Sequence, residues 1–382
     1  MNVFAGAVPF GMGPVGKLAS IIEASTDIAW TPCGDPFPLT VFSQASFGTP
    51  CWSREPAVLE AFAERHDIGL AVVVLDPDLA EVLERVGVSV VYVDSLPFLW
   101  TPEDPLPRAV SAYCAQLCPA LPEAAWGPLR TVRNLHWVGA IVPAVLPPPG
   151  SHREGVVLNL GGVHSPHGSG FAYLDLVVPA ALAALEDRWR GGITITGSAD
   201  ALTHLRSPGG AADALLAQSG ARCETLTQRD YLARIARAEL LVTSPGLTTI
   251  LETSALEVPL VVLPPQNLSQ YFNAEIARNH LPGCAVVGWV HPTLSPARVE
   301  QARSRGEAWA VRYIQEAIAA LRLEPSEAEA LRDRIAGGVS AVLAEACGPV
   351  TARGLLDIVG PRGTAQVLSV ITSLAKATGR AP

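Results

Sequence analysis

The chain has 382 residues, of which 49% are hydrophobic and 16% are charged. This length is enough for two domains of ordinary size, and the composition excludes a disordered, collagen-like or coiled-coil protein. The 27 basic and 36 acidic residues give a net charge of −9, which argues against a nucleic-acid binder that relies on a basic surface.

The first third of the chain alternates apolar runs with amphipathic segments. Val3–Phe10 is a short apolar run, followed by glycines and the amphipathic stretch Lys17–Ala24, which predicts a strand, a turn and a helix. Ile68–Leu75 is a continuous run rich in β-branched residues, typical of a parallel strand buried on both faces. Further predicted elements are the strands Ile28–Trp30 and Val88–Val93 and the helices Ala57–Arg65 and Asp78–Val86. The alternation predicts βαβ units and a parallel sheet.

Three consecutive prolines, Pro147 to Pro149, make a stiff connector that continues neither a helix nor a strand. We therefore predict an N-terminal domain over 1–146, a linker over 147–155 and a C-terminal domain over 156–350. A helical tail follows over 351–382, and its packing on the N-terminal domain is left open.

The strand and helix pattern starts again after the linker, with the strand Val156–Leu160 and the helix Leu174–Trp189. Further predicted elements are the strands Ile193–Gly197, Leu240–Thr243 and Leu260–Leu263 and the helices Tyr231–Ala238, Thr248–Leu256 and Thr364–Thr378. Two α/β domains predict a cleft between them, with ligands at the carboxyl ends of the strands.

A glycine-rich segment, Gly11 to Lys17, lies between the first strand and the first helix. As Gly11-x-Gly13-x-x-Gly16 it fits a dinucleotide fingerprint, and as Gly11-x-x-x-x-Gly16-Lys17 it falls one residue short of a phosphate loop. A tight turn that only packs the helix on the strand stays an alternative. A further alternative is that the chain is a nucleotide enzyme of another kind. In that case Gly13, Gly16 and Lys17 would contact a phosphate or a carboxylate of its ligand.

Asp76 and Asp78 form an Asp-Pro-Asp sequence between a strand and a helix. The spacing superficially resembles the metal-binding Asp-x-Asp motif found in some glycosyltransferases. Asp78 is also well placed to cap the helix, and we favour capping. Asp76 follows the end of its strand and could face a ligand.

Leu240–Asn273 carries the most informative pattern. A strand is followed by Ser244-Pro245-Gly246-Leu247-Thr248-Thr249, a turn that feeds a helix with hydroxyls in its first turn. The free N–H groups of such a helix make an anion site that suits a diphosphate. Glu252 follows one turn later, where a carboxylate can accept two hydrogen bonds from a ribose. The next strand leads into Gln266 and Asn267 and then Gln270 and Asn273, whose amides can both donate to and accept from sugar hydroxyls.

The order of these residues resembles the donor half of the GT-B nucleotide-sugar glycosyltransferases. The resemblance implies two Rossmann-like α/β domains facing a central cleft, an acceptor site in the N-terminal domain and a UDP-sugar site in the C-terminal domain. It implies that Glu252 holds the ribose, that Gly246–Thr249 hold the diphosphate, and that Gln270 with Asn273 holds the sugar. The remaining donor-binding residues that it implies are Gly161, Gly162, His164, Ser244, Gln266 and Asn267. The histidine that this family often has in the first glycine loop is absent.

Val93–Trp100, taken with Thr243–Thr249 and Leu263–Gln270, is similar to the cytosylglucuronate synthases, which join UDP-glucuronic acid to cytosine. This resemblance implies that Asp94 is the first candidate for the general base, with Asp76 the second. Phe98 and Trp100 would stack on the pyrimidine. An alternative is that these aromatic residues are core and that Asp94 is satisfied by the backbone. Lys17, His164, His167 and Arg133 are the candidates for pairing with the glucuronate carboxylate, of which we favour Lys17 and His164.

We therefore expect a metal-independent enzyme without a cofactor that makes an inverted N-glycoside from UDP-glucuronate and cytosine or hydroxymethylcytosine. No apolar run approaches the roughly 18–20 residues of a membrane span. The first residues lack the pattern of a signal peptide, and seven cysteines without a CxxC pair fit thiols in a reducing cytoplasm. The alternatives are a GT-B transferase with another UDP-sugar and a different small-molecule or lipid acceptor, and a sugar-nucleotide-binding protein without activity. The oligomeric state is left open.

Overall fold

The structure is a computed structural model that describes residues 1–42, 47–119, 121–148, 152–162, 170–345 and 354–379. The contacts within the chain divide it into two compact units. Unit 1 consists of Met1–Pro9, Pro14–Val145 and the chain from Leu356 onwards, and unit 2 consists of Phe10–Gly13 and Leu146–Leu355. Each unit is built on its own six-stranded sheet.

Unit 1 has six parallel strands. They are β1 (Asn2–Ala7), β2 (Ala29–Pro32), β3 (Leu70–Val74), β4 (Ser89–Asp94), β5 (Ala112–Gln116) and β6 (Leu135–Val138). Their order across the sheet is β2-β1-β3-β4-β5-β6. The helices that connect them are α1 (Gly13–Glu23), α2 (Pro56–Arg65), α3 (Pro77–Arg85) and α4 (Glu123–Leu129). Because all the strands are parallel, their carboxyl ends meet at one edge of the sheet.

The centre of this sheet explains the apolar run that marks β3 in the sequence. All five residues of β3 are buried. A parallel strand that is covered on both faces is apolar at every position, so its sequence does not alternate. One side of the sheet packs against a core that includes Phe4, Leu79, Tyr92 and Tyr113.

The end of the chain packs on unit 1 through α15 (Gly363–Ala377), which follows α14 (Gly354–Val359). The Gln366 Oε1 atom accepts a hydrogen bond from Gly139 N at 2.7 Å, and Thr364 Oγ1 donates to Val142 O at 2.6 Å. A side chain at Gly139 would place its Cβ 2.5 Å from Gly360 O, so this close approach requires glycine.

Unit 2 also has six parallel strands. They are β7 (Val156–Asn159), β8 (Ile193–Thr196), β9 (Arg222–Glu224), β10 (Leu240–Thr243), β11 (Leu260–Val262) and β12 (Ala285–Val286). Their order is β12-β11-β10-β7-β8-β9, the order of a dinucleotide-binding sheet. The helices are α5 (Phe171–Trp189), α6 (Ala199–Leu205), α7 (Asp213–Ser219), α8 (Gln228–Ile235), α9 (Leu247–Leu256), α10 (Leu268–His280), α11 (Pro296–Arg303), α12 (Glu307–Leu321) and α13 (Pro325–Glu345).

The long helices of unit 2 cover its sheet. The helix α13 packs against α5 and against the strands β11 and β12. The helix α5 has 19 residues and is mostly apolar. Even so, none of the helices in the described ranges is long and apolar enough to cross a membrane.

Candidate functional site

The polar residues of unit 2 concentrate at the carboxyl ends of β7 and β10. These strands are neighbours, and the chain leaves them in opposite directions across the sheet. Such a switch point is where open α/β sheets bind their ligands. Asn159 ends β7 opposite Thr243, which ends β10, and Ser244 N donates to Asn159 O at 3.0 Å.

Asn159 connects the loops that meet at this point. Its Nδ2 atom lies 3.0 Å from Thr243 Oγ1, 3.1 Å from the Tyr231 hydroxyl and 3.5 Å from Thr249 Oγ1. Its Oδ1 atom accepts a hydrogen bond from Gly161 N at 3.1 Å. One buried amide thus fixes the glycine turn after β7, the end of β10 and the start of α9.

The helix α9 begins at Leu247 immediately beyond this cluster. Its N-cap residue is Gly246, which has no side chain to accept hydrogen bonds from the first-turn N–H groups. Gly161 has a φ of +63°, and a Cβ there would lie 3.2 Å from Ser244 Oγ. The turn after β7 and the turn before α9 are therefore in close contact, beside a helix N-terminus that favours an anion.

Glu252 lies on α9, with only 2% of its surface exposed. The Gln228 Nε2 atom donates to Glu252 Oε1 at 3.4 Å. Burial raises the pKa of the Tyr231 hydroxyl, and the nearby charge of Glu252 raises this pKa further. The tyrosine therefore stays protonated, and the Glu252 carboxylate has the neutral polar groups of Gln228 and Tyr231 near it.

The loop after β11 is held by side chains from two other elements. The hydroxyl of Tyr173 donates to Pro264 O at 2.9 Å, and the Trp289 Nε1 atom donates to Pro265 O at 2.7 Å. The two aromatic rings pack edge to face, with their centroids 6.1 Å apart. A loop whose carbonyl groups are bound in this way has a fixed backbone.

The amides of this loop and of α10 hold one another in place. Gln266 N donates to Gln270 Oε1 at 3.0 Å, and Asn267 Oδ1 caps α10 by accepting from Gln270 N at 3.1 Å. The Nδ2 atom of Asn273 donates to Pro245 O at 2.9 Å, which joins α10 to the turn before α9. The predicted sugar-binding residues and the predicted diphosphate-binding turn are thus in direct contact.

Two amide atoms in this group are buried without a hydrogen-bond partner among the described residues. They are Gln266 Nε2 and Asn273 Oδ1. A buried polar atom without a partner costs about 1–3 kcal/mol, so native structures rarely keep one that no water or ligand satisfies. One atom is a donor and the other is an acceptor, which is the pair of functions that sugar hydroxyls satisfy.

The glycine-rich segment of the N-terminal half differs from its expected form. Gly13 begins α1 and Gly16 lies inside it, so neither is in a loop. A Cβ on either residue would meet open space, and neither has a positive φ. The backbone therefore does not require glycine at position 13 or 16. The structure thus gives no support to the predicted phosphate contact there.

Lys17 lies in α1 with 1% of its surface exposed. Its Nζ atom donates to Gln116 Oε1 at 3.0 Å and to Ile141 O at 2.7 Å. The ammonium group thus ties α1 to the carboxyl end of β5 and to the chain beyond β6. This geometry places Lys17 in the interior of unit 1, whereas the sequence predicted a loop residue open to an anion. The other favoured partner of the glucuronate, His164, lies outside the described residues, as does His167.

Asp94 ends β4 and is fully buried. Its Oδ2 atom accepts hydrogen bonds from Trp100 Nε1 at 2.6 Å and from the Tyr113 hydroxyl at 2.7 Å, and Oδ1 accepts from Leu96 N at 2.9 Å. Burial raises the pKa of Asp94 to about 6, although the three hydrogen bonds act in the opposite direction. The carboxylate holds the loop after β4 in place.

The predicted acceptor-stacking residues and the second candidate base, Asp76, are also engaged. Phe98 and Trp100 are 1% and 6% exposed, so neither ring has an open face for an acceptor. Asp76 is the N-cap of α3, where its Oδ1 accepts from Leu79 N at 3.1 Å, and it forms an ion pair with Arg54. The residue that caps α3 is thus Asp76, where the sequence favoured Asp78. Of the described residues, no group of three or more His, Cys, Asp and Glu side chains could hold a metal ion.

A protein-family model described as "CGA synthase-related protein" matches residues 55–321, more than half of the chain. The chain belongs to the CGA synthase-related protein family. Its matched stretch runs from the start of α2 to the end of α12 and includes Asn159, Glu252 and the loop after β11. Among curated proteins, none matches the chain.

Solved structures with the same fold are similar over nearly the whole chain. The spinosyn rhamnosyltransferase SpnG, complexed with thymidine diphosphate, is 13% identical over 97% of this chain and 100% of its own, with a TM-score of 0.56. The UDP-GlcNAc 2-epimerase of Methanocaldococcus jannaschii, in complex with UDP-GlcNAc and UDP, is 12% identical over 90% of this chain and 100% of its own, with a TM-score of 0.50. The predicted GT-B fold class is confirmed, and the fold and the family description agree with the prediction of an enzyme.

Several residues that build this site in the CGA synthase-related chain were not predicted. Asn159 gave one sequence signal, an amide directly before Leu160-Gly161-Gly162 at the end of an apolar strand. Tyr173 and Trp289 gave none, because each reaches the site from an element far away in the sequence.

Proposed function

We propose that this chain transfers glucuronic acid from UDP-glucuronate to a ring nitrogen of cytosine or hydroxymethylcytosine, with inversion at the anomeric carbon. The observation that carries the donor half is a pair of amide atoms, Gln266 Nε2 and Asn273 Oδ1, that lie beside the turn before α9 and have no partner within the described ranges. A sugar linked to a diphosphate at that turn has hydroxyls that can satisfy both atoms.

In this proposal the diphosphate binds the first turn of α9. The N–H groups of Leu247, Thr248 and Thr249 supply donors, and the positive end of the helix dipole stabilises the charge that develops on the leaving group. Ser244 and Gly246 shape the turn, and Glu252 accepts hydrogen bonds from the ribose hydroxyls. The protonated hydroxyl of Tyr231 and the amide of Gln228 supply further neutral groups around the nucleoside.

The transfer step is a displacement at the anomeric carbon. The acceptor nitrogen forms the new bond to this carbon while the bond to the diphosphate oxygen breaks, and UDP leaves with that electron pair. The proton of the nitrogen goes to a base. Asp94 and Asp76 stay the predicted bases, and each would have to exchange a present hydrogen bond for one to the acceptor.

The choice of glucuronate and cytosine is supported by the resemblance to cytosylglucuronate synthases in Val93–Trp100. It is also supported by the family description, because the letters CGA fit cytosylglucuronic acid.

The test incubates the purified chain with UDP-glucuronate in EDTA, with and without cytosine, and measures UDP release together with the mass of the product. Cytosine-dependent release with a glucuronyl-cytosine mass is the expected result. Release with other UDP-sugars or acceptors but not with this pair would leave a glycosyltransferase of different specificity. Binding of UDP-glucuronate without turnover in the presence of any acceptor would support a binding protein without activity.

A matched pair of variants connects this activity to the site. Glu252→Gln should abolish most of the release, whereas Glu316→Gln, which changes an exposed carboxylate on α12, should leave it unchanged. Equal activity in both variants would remove Glu252 from the donor site.

A further inference from the structure

A second group of polar and aromatic residues lies in unit 1 between β2 and α2. Asp35 follows the carboxyl end of β2, and Trp52 and Arg54 precede α2. On the basis of the proposed function, we infer that Asp35 and Trp52 bind the acceptor, and that this acceptor is a flat nitrogen heterocycle with an N–H group. These residues precede the stretch 55–321 that the family model matches.

The guanidinium group of Arg54 lies between two carboxylates. Its Nε atom donates to Asp35 Oδ2 at 2.9 Å, and its Nη1 atom donates to Asp76 Oδ1 at 3.1 Å. Two negative charges around one positive charge leave a net negative charge. Because the side chain of Asp76 is 4% exposed and that of Asp35 is 42% exposed, this charge is presented to solvent on Asp35.

Asp35 has an oxygen that is open to a ligand. Within the described ranges, the Asp35 carboxylate makes its contacts through Oδ2, and Oδ1 has no partner there. Asp76 follows β3 and Asp94 ends β4, so both lie at the same edge of the sheet. In each of these two carboxylates, both oxygens already accept hydrogen bonds. Of these three carboxylates, Asp35 is thus the one that can accept a hydrogen bond without losing another.

Trp52 supplies an aromatic surface in the same stretch of chain as Arg54, the partner of this carboxylate. It is 36% exposed, and its ring packs edge to face on the buried ring of Phe37, with the centroids 5.3 Å apart at 85°. Phe37 is two residues from Asp35, and Trp52 is two residues from Arg54. The ring contact and the ion pair therefore join the same two stretches of chain, so the indole and the carboxylate belong to one patch.

This patch selects for a particular chemistry. A flat base can stack on the exposed part of an indole, a contact that proteins use for all nucleobases. The ring N–H or the amino group of a pyrimidine such as cytosine can donate to Asp35 Oδ1. A hydroxyl of another acceptor can also donate to Asp35 Oδ1, so the carboxylate alone does not select the acceptor. The combination of this carboxylate with an exposed indole is what favours a flat base with an N–H group.

The test measures the binding of cytosine itself by calorimetric titration or ligand-observed NMR. Trp52→Leu and Asp35→Asn should each weaken cytosine binding by a factor of ten or more. The controls are Trp126→Leu, at a tryptophan that is 41% exposed in the same unit, and Asp27→Asn, at an exposed carboxylate. Both controls should bind cytosine within a factor of two of the unchanged protein. Wild-type-like binding in Trp52→Leu and Asp35→Asn, or no binding of cytosine to the unchanged protein, would overturn the inference.

A parallel assay separates this inference from the proposed function. If the unchanged protein forms glucuronyl-cytosine and the two patch variants do so with an unaltered KM for cytosine, the acceptor patch is wrong and the function stands. If cytosine binding depends on Asp35 and Trp52 but UDP-glucuronate is not consumed, the patch stands and the transfer reaction is wrong. The affinity for UDP should be the same in all five proteins, which checks that unit 2 is intact.

Discussion

The two units have sheets of the same size and direction, yet they use the polar residues at the carboxyl ends of their strands differently. In unit 2, Asn159 and Asn273 hold the loops together, while Gln266 Nε2 and Asn273 Oδ1 have no partner among the described residues. In unit 1, Lys17, Asp76 and Asp94 are buried, and their side chains hold helices and loops in place. A polar residue at a strand end is therefore a ligand candidate only where the fold does not already use its hydrogen bonds.

The largest expected effect is on nucleotide binding by unit 2. Replacing Glu252 by Gln removes a buried carboxylate that would accept hydrogen bonds from the ribose, and hydrogen bonds to charged groups contribute about 1.5–3 kcal/mol each. We expect the Kd for UDP to rise by roughly 100-fold, measured by calorimetry. The matched change Glu316→Gln should leave it unaltered. If the Kd of Glu252→Gln for UDP stayed within threefold of the original, Glu252 would not bind the nucleotide. The proposed ligand site of unit 2 would then lose its main residue.

The next effect concerns pH and unit 1. Because the folded pKa of Asp94 is raised to about 6, its contribution to stability is fully present below the ordinary pKa of about 4 and is lost as the pH rises through 6. Between pH 7 and pH 4.5 this gain amounts to roughly 2 kcal/mol, since one pKa unit corresponds to about 1.4 kcal/mol.

The control for this pH dependence is the variant Asp94→Asn, whose side chain at position 94 cannot take up a proton in this range. Urea unfolding at several pH values should show that the stability of the original protein relative to this variant increases as the pH falls from 7 to 4.5. A constant difference between the two proteins would contradict a buried carboxylate that takes up a proton on acidification.

Lys17 gives the sharpest contrast between a structural and a ligand role. In Lys17→Met, Ile141 O loses the hydrogen bond from the ammonium group, and an unsatisfied buried acceptor costs about 1–3 kcal/mol. We expect a loss of about 1–2 kcal/mol in the free energy of unfolding and a Kd for UDP-glucuronate within twofold of the original. A tenfold weaker Kd with unaltered stability would instead assign Lys17 to the phosphate or the carboxylate.

The smallest effect is expected at Gln266. The substitution Gln266→Met keeps the side-chain length and removes an amide donor that has no partner among the residues that the structure describes. The stability of the free protein should not fall, whereas the affinity for UDP-glucuronate should fall about fivefold, which corresponds to about 1 kcal/mol. The affinity for UDP, which lacks the sugar, is the control and should not change. Equal losses for both ligands would place Gln266 away from the sugar.

The sequence predicts the fold class well because the strongest signals are local. The apolar run of β3 and the repeated strand and helix pattern depend on neighbours in the chain. Four strands, β5, β6, β9 and β12, were not predicted. The last two have three and two residues, too few for a hydrophobic period.

The same limit applies to the candidate sites. The turn before α9, Glu252 and the loop after β11 lie within one stretch of 34 residues, Leu240–Asn273, so that their order could be read directly. The hydrogen bonds that bury Lys17 reach partners 99 and 124 residues away, and the donor to Asp94 from β5 is 19 residues away. Contacts of this kind have no local pattern, and they decide whether a polar residue meets a ligand or the protein.

The central claim is that the nucleotide binds in unit 2, at the turn before α9 and the loop after β11. The most direct measurement is amide hydrogen exchange of the whole chain with and without saturating UDP. Slower exchange in residues 244–252 and 264–273, with no change in residues 14–23 and 89–100, is the predicted result. Protection of residues 14–23 or 89–100 without protection of the two unit 2 segments would contradict it.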